Sequence, residues 1–137
     1  MSIPIEVVQK VEEIADMLFA EGNHIDIGWH GEIDDALIEQ TREITHKPYC
    51  IVKDWCWWDV DVPENIIPDD DKLPIMVYSH CIIDDELERF CIGGPVRTSL
   101  LCKFHPPAFF ETGNTVYILT GKGTRKNVSA ENVMAIM

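Results

Sequence analysis

The sequence predicts an α+β fold, an acidic helical N-terminal half packed on a small antiparallel β barrel or bent sheet. Two observations carry that expectation. Apolar residues recur at helical spacing through the first half, and the second half is a succession of short β-branched segments separated by turn residues. A third, the confinement of the acidic excess to the first half, marks the two parts as different surfaces. At 137 residues and 46% apolar, the chain can build an ordinary core. It reads as one domain, 1–137, with an acidic, mainly helical lobe and Trp-rich strand over 1–72 and a β module over 73–137.

The elements follow in order. Ile5, Val8, Val11, Ala15 and Leu18 fall at three- and four-residue steps and are the expected buried face of a first helix. Gly22 stands where a left-handed cap is expected. GNHIDIGWHG, rich in glycine, reads as irregular. EIDDALIEQTREITHK is the second helix, with Ile33, Leu37 and Ile44 on one side and Pro48 as its stop. Glu39 with Arg42, or Glu43 with Lys47, are candidate surface pairs worth a few tenths of a kcal/mol. YCIVKDW is a strand, and Pro63 and Pro68 make the following stretch a loop.

In the second half PIMVYSHCII is a strand, DDELE a polar turn and RFCIG its returning partner. VRTSLLCKF follows, then a break at Pro106–Pro107. AFFET and TVYILT are expected to form a hairpin across Gly113–Asn114, and GKGT a tight reversal into RKNVS. Ser129 is the N-cap of a last helical turn in SAENVMAIM.

Net charge is −13, and residues 1–72 hold 18 acids against five bases while residues 73–137 hold six of each sign. Such a lobe repels phosphates and anionic membranes and steers basic partners toward itself. No apolar run approaches the roughly 18 residues of a membrane span. The N-terminus places acids where a signal peptide has bases, so the expected location is the cytoplasm. Five cysteines (Cys50, Cys56, Cys81, Cys91 and Cys102) with no C-x-x-C pair are expected to be reduced, buried small apolar residues.

The unusual segment is DWCWWDVDVPENIIPDDDK, residues 54–72. On a strand Trp55, Trp57 and Asp59 share one face while Cys56 and Trp58 take the other. With indole on both faces, at least one tryptophan is expected near the surface beside acids, as an interface anchor; the competing expectation is two cores. His46, Cys50 and Cys56, with His24 and His30 upstream, are candidate metal ligands, but their spacing lacks the tight pairs of structural zinc sites. Asp59 and Asp61 are spaced for acid–base work beside Trp57. Ser79 and His80 are neighbours whose side chains point oppositely on a strand, and no G-x-S-x-G elbow is present. GKGTRK lacks the P-loop pattern.

One stretch carries a resemblance: VYSHCIIDDELERFCIGGPVRTSLLCKF…FFETGNTVYILTGKGTRKNVS. It resembles an uncharacterised family of small bacterial or prophage-associated proteins that share a tyrosine-bearing strand, D-x-x-x-R-F/W, R-T-S-x-L and E-T-x-N-T-V-Y-x-L-x-G-x-G-x-R-K. The matching residues are Tyr78, Arg89, Phe90, Arg97, Thr98, Ser99, Leu100, Glu111, Thr112, Asn114, Thr115, Val116, Tyr117, Gly121, Gly123, Arg125 and Lys126. Relatives often carry arginine where Gly113 stands. The resemblance implies a shared β module and a mobile-element context, and supplies no catalytic residue.

The function expected from these features is non-enzymatic. It is an acidic binding or inhibitor protein, immunity-like or phage anti-defence-like, whose acidic face occupies a basic surface of a protein partner. That partner would be a nuclease toxin or a host nucleic-acid-binding complex, with no direct contact to nucleic acid or membrane. The expected contact residues are Trp55, Trp57, Trp58, Asp59, Asp61, Glu64, Asp69, Asp70 and Asp71, with no cofactor or metal. The alternative is a small metal-dependent hydrolase using His24, His30, His46 and the Asp59/Asp61 pair. A structural or regulatory role in a prophage, with acidity serving only solubility, is a third.

Overall fold

The structure, a computed structural model, describes residues 3–63 and 71–136. Its centre is β2 (Tyr49–Asp61), a strand of 13 residues that runs well past the YCIVKDW segment read as a strand from sequence. Before it come α1 (Ile5–Phe19), β1 (Asn23–His24) and α2 (Asp35–Ile44). After it come β3 (Ile75–Asp85), β4 (Val96–Arg97), β5 (Lys103–His105), β6 (Phe109–Glu111), β7 (Val116–Leu119), β8 (Gly123–Ser129) and α3 (Ala130–Ala135). The fold is α+β, with a strongly curled mixed sheet forming a half-barrel.

Two neighbours divide one edge of β2. Residues 49–52 pair in parallel with β7, and residues 55–61 pair in parallel with β8. The other edge pairs antiparallel with β3. Between the two parallel stretches sits Asp54 at φ 52°, and the register with β3 slips between Ile51 and Val52. The kink changes which side chains face inward. Cys50 and Val52 lie in the same buried cluster as Trp55 and Trp57, so the inward positions pass from even to odd across it. A regular strand could not bury both sets against one core.

Helix α2 covers one cluster on the sheet, and α1 with α3 covers another. Leu37 of α2 packs with Ile51, Phe109, Val116 and Ile118. Met17 of α1 packs with Cys56, Trp58, Val128 and the α3 residue Val133. The Asp34 carboxylate accepts from Leu37 N at 3.2 Å and Ser129 Oγ from Asn132 N at 3.1 Å, so both caps are short polar side chains at helix starts.

Several expectations are corrected. The sheet is mixed because β7 and β8 both run parallel to β2, so GKGT carries the chain to a new neighbouring position and does not turn a hairpin. RFCIG is not a strand; β3 pairs with β2 and the short β4. The β6–β7 hairpin across Gly113–Asn114 is present. Helix α1 ends at Ala20, whose N–H donates to Asp16 O at 3.0 Å. Gly22 serves close approach instead, since a Cβ there would lie 2.7 Å from Arg125 O. The bases expected to pair along the second helix reach elsewhere: Arg42 of α2 pairs with Glu86, and Lys47, which lies beyond the end of α2, has Nζ 2.7 Å from Glu111 Oε2.

The segment after β3 is held without strand pairing. Arg89 donates through Nη2 to Asp85 Oδ1 at 2.7 Å and through Nε to Oδ2 at 3.2 Å, and its Nη1 donates to Thr115 Oγ1 at 2.9 Å. Burial alone would raise the Asp85 carboxyl, but the side-chain and backbone bonds from Arg89 hold it below the usual range. The bonds tie the 86–95 segment to the β6–β7 turn.

Candidate functional site

The alternation of β2 puts Trp55 and Trp57 on one face and Cys56 and Trp58 on the other, as the sequence implies. The expectation that one indole stays near the surface is corrected. Trp55, Trp57 and Trp58 are 2%, 7% and 0% exposed. Trp57 meets Phe104 and Phe110 edge-on, each with centroids 5.4 Å away, and Trp58 stacks on Tyr78 at 5.3 Å. The curl of the sheet encloses one face and α1 with α3 encloses the other, so both faces of one strand are core. It is Trp58 that lies toward the helices and Trp57 that lies inside the curl.

Asp59 is half-buried and already paired. Arg125 of β8, brought opposite by the parallel register Trp57↔Arg125, donates through Nε to Asp59 Oδ2 at 2.6 Å and through Nη2 to Oδ1 at 3.0 Å. Trp57 Nε1 also donates to Oδ1, at 3.4 Å. Such a bidentate clasp leaves little of the Asp59 charge for a partner. Asp61 and Asp71 are exposed, while Glu64, Asp69 and Asp70 lie outside the described residues.

The hydrolase residues are not gathered. His24 lies on β1, His30 beyond the Trp29–Thr120 bridge and His46 after α2. Among the described residues no group of three or more His, Cys, Asp or Glu side chains is placed to hold a metal ion. Burial pushes the Cys50 thiol up to about 12 and the Cys56 thiol up as well, which removes thiolate character from both. One titratable cluster was not anticipated from sequence: Glu111, which accepts from Lys47 and meets His105 Nε2 at 2.8 Å. Burial would raise Glu111, but Lys47 and His105 hold it below the ordinary carboxylate range. It binds α2 to the β5–β6 hairpin.

The charge asymmetry becomes spatial in the structure. Among the described residues of 1–72, fourteen of fifteen acids are exposed, whereas Lys53 is the one exposed base. Lys10 is drawn to Glu131 at 3.2 Å, and Arg42 and Lys47 are held by acids of the second half. Three bases of the second half are likewise engaged within the fold, while Lys103 and Lys122 are exposed. Arg89 and Arg125 clasp Asp85 and Asp59, and Lys126 Nζ donates to Asp16 O and Ala20 O at the end of α1. On Ala20 O the cation satisfies a carbonyl past the helix end, while Asp16 O accepts from it in addition to Ala20 N–H. Within residues 1–72 the cations are thus mostly paired in the fold while most carboxylates remain on the surface.

Helix α1 is turned from the expected orientation. Met17 is buried and Ile14 and Leu18 partly so, but Ile5, Val8 and Val11 of the expected buried face are exposed, together with Val7 and Phe19. A cleft of about 340 Å³ runs between α1, β8 and α3, edged by Glu13, Asp16, Lys126 and Asn132.

A family profile described as Domain of unknown function (DUF6957) matches residues 26–135. The chain belongs to that family. The DUF6957 region takes in every strand from β2 to β8, together with α2 and α3, and leaves α1 and β1 outside. No curated protein and no solved structure matches the chain. Within the DUF6957 region, Arg89 and Arg125 make the two clasps, Gly121 stands at φ 69°, and Tyr117 is buried. Among the described residues no helix is long and apolar enough to cross a membrane.

Proposed function

We propose that the protein is a non-enzymatic acidic binding or inhibitor protein whose N-terminal half engages a basic surface of a protein partner. The observation that carries this reading is the exposure of fourteen acids against one base among the described residues of 1–72. A surface of one sign raises association rates with a partner of the opposite sign and rejects nucleic acid. The partner class is a protein that itself handles nucleic acid, such as a nuclease toxin or a host defence complex, because its phosphate-binding surface is basic. An immunity-like or anti-defence setting in a bacterium or prophage fits that class. The contact set differs from the one expected from sequence, with the three indoles acting as support beneath the surface and Asp59 held by Arg125.

The test is affinity capture on immobilised protein, washed at low and then high salt, followed by titration of the recovered partner. Replacing the exposed carboxylates Glu12, Glu39, Asp61 and Asp71 by their amides should weaken binding several-fold at low salt and flatten its salt dependence. Unchanged affinity in that variant would remove the proposal.

A further inference from the structure

The apolar stripe of α1 is a surface the fold leaves uncovered. Met17, Ile14 and Lys10 face the sheet and α3, as their burial shows. At about 100° per residue, Val7, Val11, Ala15 and Val8 then lie side by side on the outward flank. Val7, Val8 and Val11 are 49%, 41% and 61% exposed, with Ile5 at one end and Phe19, stacked on His80 at 5.6 Å, at the other. Apolar residues at this spacing are the mark of a helix face that buries itself. The family-defined region does not include α1, so that region's own core does not account for the stripe.

Charge decides what can cover it. Helix α1 carries Glu6, Glu12, Glu13 and Asp16 against Lys10, and Lys10 is drawn to Glu13 at 3.8 Å and Glu131 at 3.2 Å. A second copy would bring two acidic helices within a Debye length, and an anionic bilayer would be repelled. A helix with a matching apolar stripe flanked by lysine or arginine turns the same carboxylates into attraction. At 15 residues and about 1.5 Å per residue, α1 offers a seat about 22 Å long, room for an occupant of roughly four turns. We infer that the exposed stripe of α1 docks a basic amphipathic helix of the partner protein, with Val7, Val8 and Val11 as its apolar floor and Glu12 at its rim. This rests on the acidic-binding reading above and gives it a location and a partner element.

The probe is a fluorescent 16-residue peptide of leucine and lysine with leucines at three- and four-residue steps, compared with a peptide of the same composition and scrambled order. Anisotropy titrations on the full chain should show the amphipathic peptide binding at least about tenfold more tightly. Val8→Gln/Val11→Gln keeps the charge and alters two exposed positions; it should erase the difference while leaving the scrambled peptide's affinity unchanged. If both peptides bind wild type equally, or the double variant retains the preference, the stripe is not the seat and the acidic-surface reading stands. If neither binds at low salt, both fall. A concentration-dependent dimer in sedimentation, lost in Val8→Gln/Val11→Gln, would assign the stripe to a second copy and overturn the inference.

Discussion

Gly123 sits where β8 passes Trp55, and the parallel register places the two side by side. A methyl group added there would lie 2.3–2.4 Å from Cδ2, Cε2 and Cε3 of the indole. Ordinary carbon contacts are about 3.5–4.0 Å, so three atoms fall short by more than 1 Å. The ring has no easy retreat. It is 2% exposed, Nε1 donates to Thr120 O at 3.1 Å, and Gly28 lies along its far edge, where an added Cβ would sit 3.6 Å from Cζ2. Gly123→Ala therefore forces β8 away from β2 or the indole out of its place. Overpacking of this kind costs about 1–3 kcal/mol, and a shortfall this large on a pinned ring puts it near the upper figure. For a chain of this length that is a fall in Tm of roughly 10 °C.

Thermal and guanidinium unfolding followed by tryptophan fluorescence and circular dichroism would measure it. Gly113→Ala is the control, because nothing lies within 4 Å of its added Cβ; it should stay within about 0.5 kcal/mol of wild type. Trp55→Leu in the Gly123→Ala background should be less damaging than the two changes summed, by about 1 kcal/mol or more. Gly123→Ala unfolding within about 0.5 kcal/mol of wild type would refute the packing argument.

Three further outcomes are expected. Asp59→Asn removes the clasp with Arg125, whose side chain is 50% exposed, and should lower stability by less than about 1 kcal/mol in denaturant titration. Of the cysteines, exposed Cys91 should react with a thiol reagent in the native protein, whereas buried Cys50 and Cys56 should be modified only on unfolding, as peptide mapping would show. Folding lowers the Glu111 pKa, so the native state binds fewer protons than the unfolded chain. Its contribution is complete above the ordinary value of 4.5 and is lost as pH falls through the lower native value. Glu111→Gln should therefore lose stability at neutral pH and show a shallower acid limb in melts taken across that range.

Much of the local structure was legible in the chain. The periodicity of residues 5–18 and 33–44 marked α1 and α2, Ser129 marked the start of α3, and Asn114 beside Gly113 marked the β6–β7 turn, because propensity, capping and turn geometry act over a few residues. The alternation of Trp55 and Trp57 against Cys56 and Trp58 was equally readable, since strand neighbours point to opposite faces. The charge asymmetry needed only counting. Tertiary structure decided the neighbours. That β7 and β8 both run parallel to β2, one on each side of the Asp54 kink, depends on pairs some 65 residues or more apart. Those pairs bring Arg125 onto Asp59 and close both faces of the tryptophan strand. They also seat α1 by Met17 and leave Val7, Val8 and Val11 in solvent. A sequence pattern says that a face is apolar, but which apolar face is covered is settled by competition among surfaces distant in the chain, and that competition exists only once the sheet has formed.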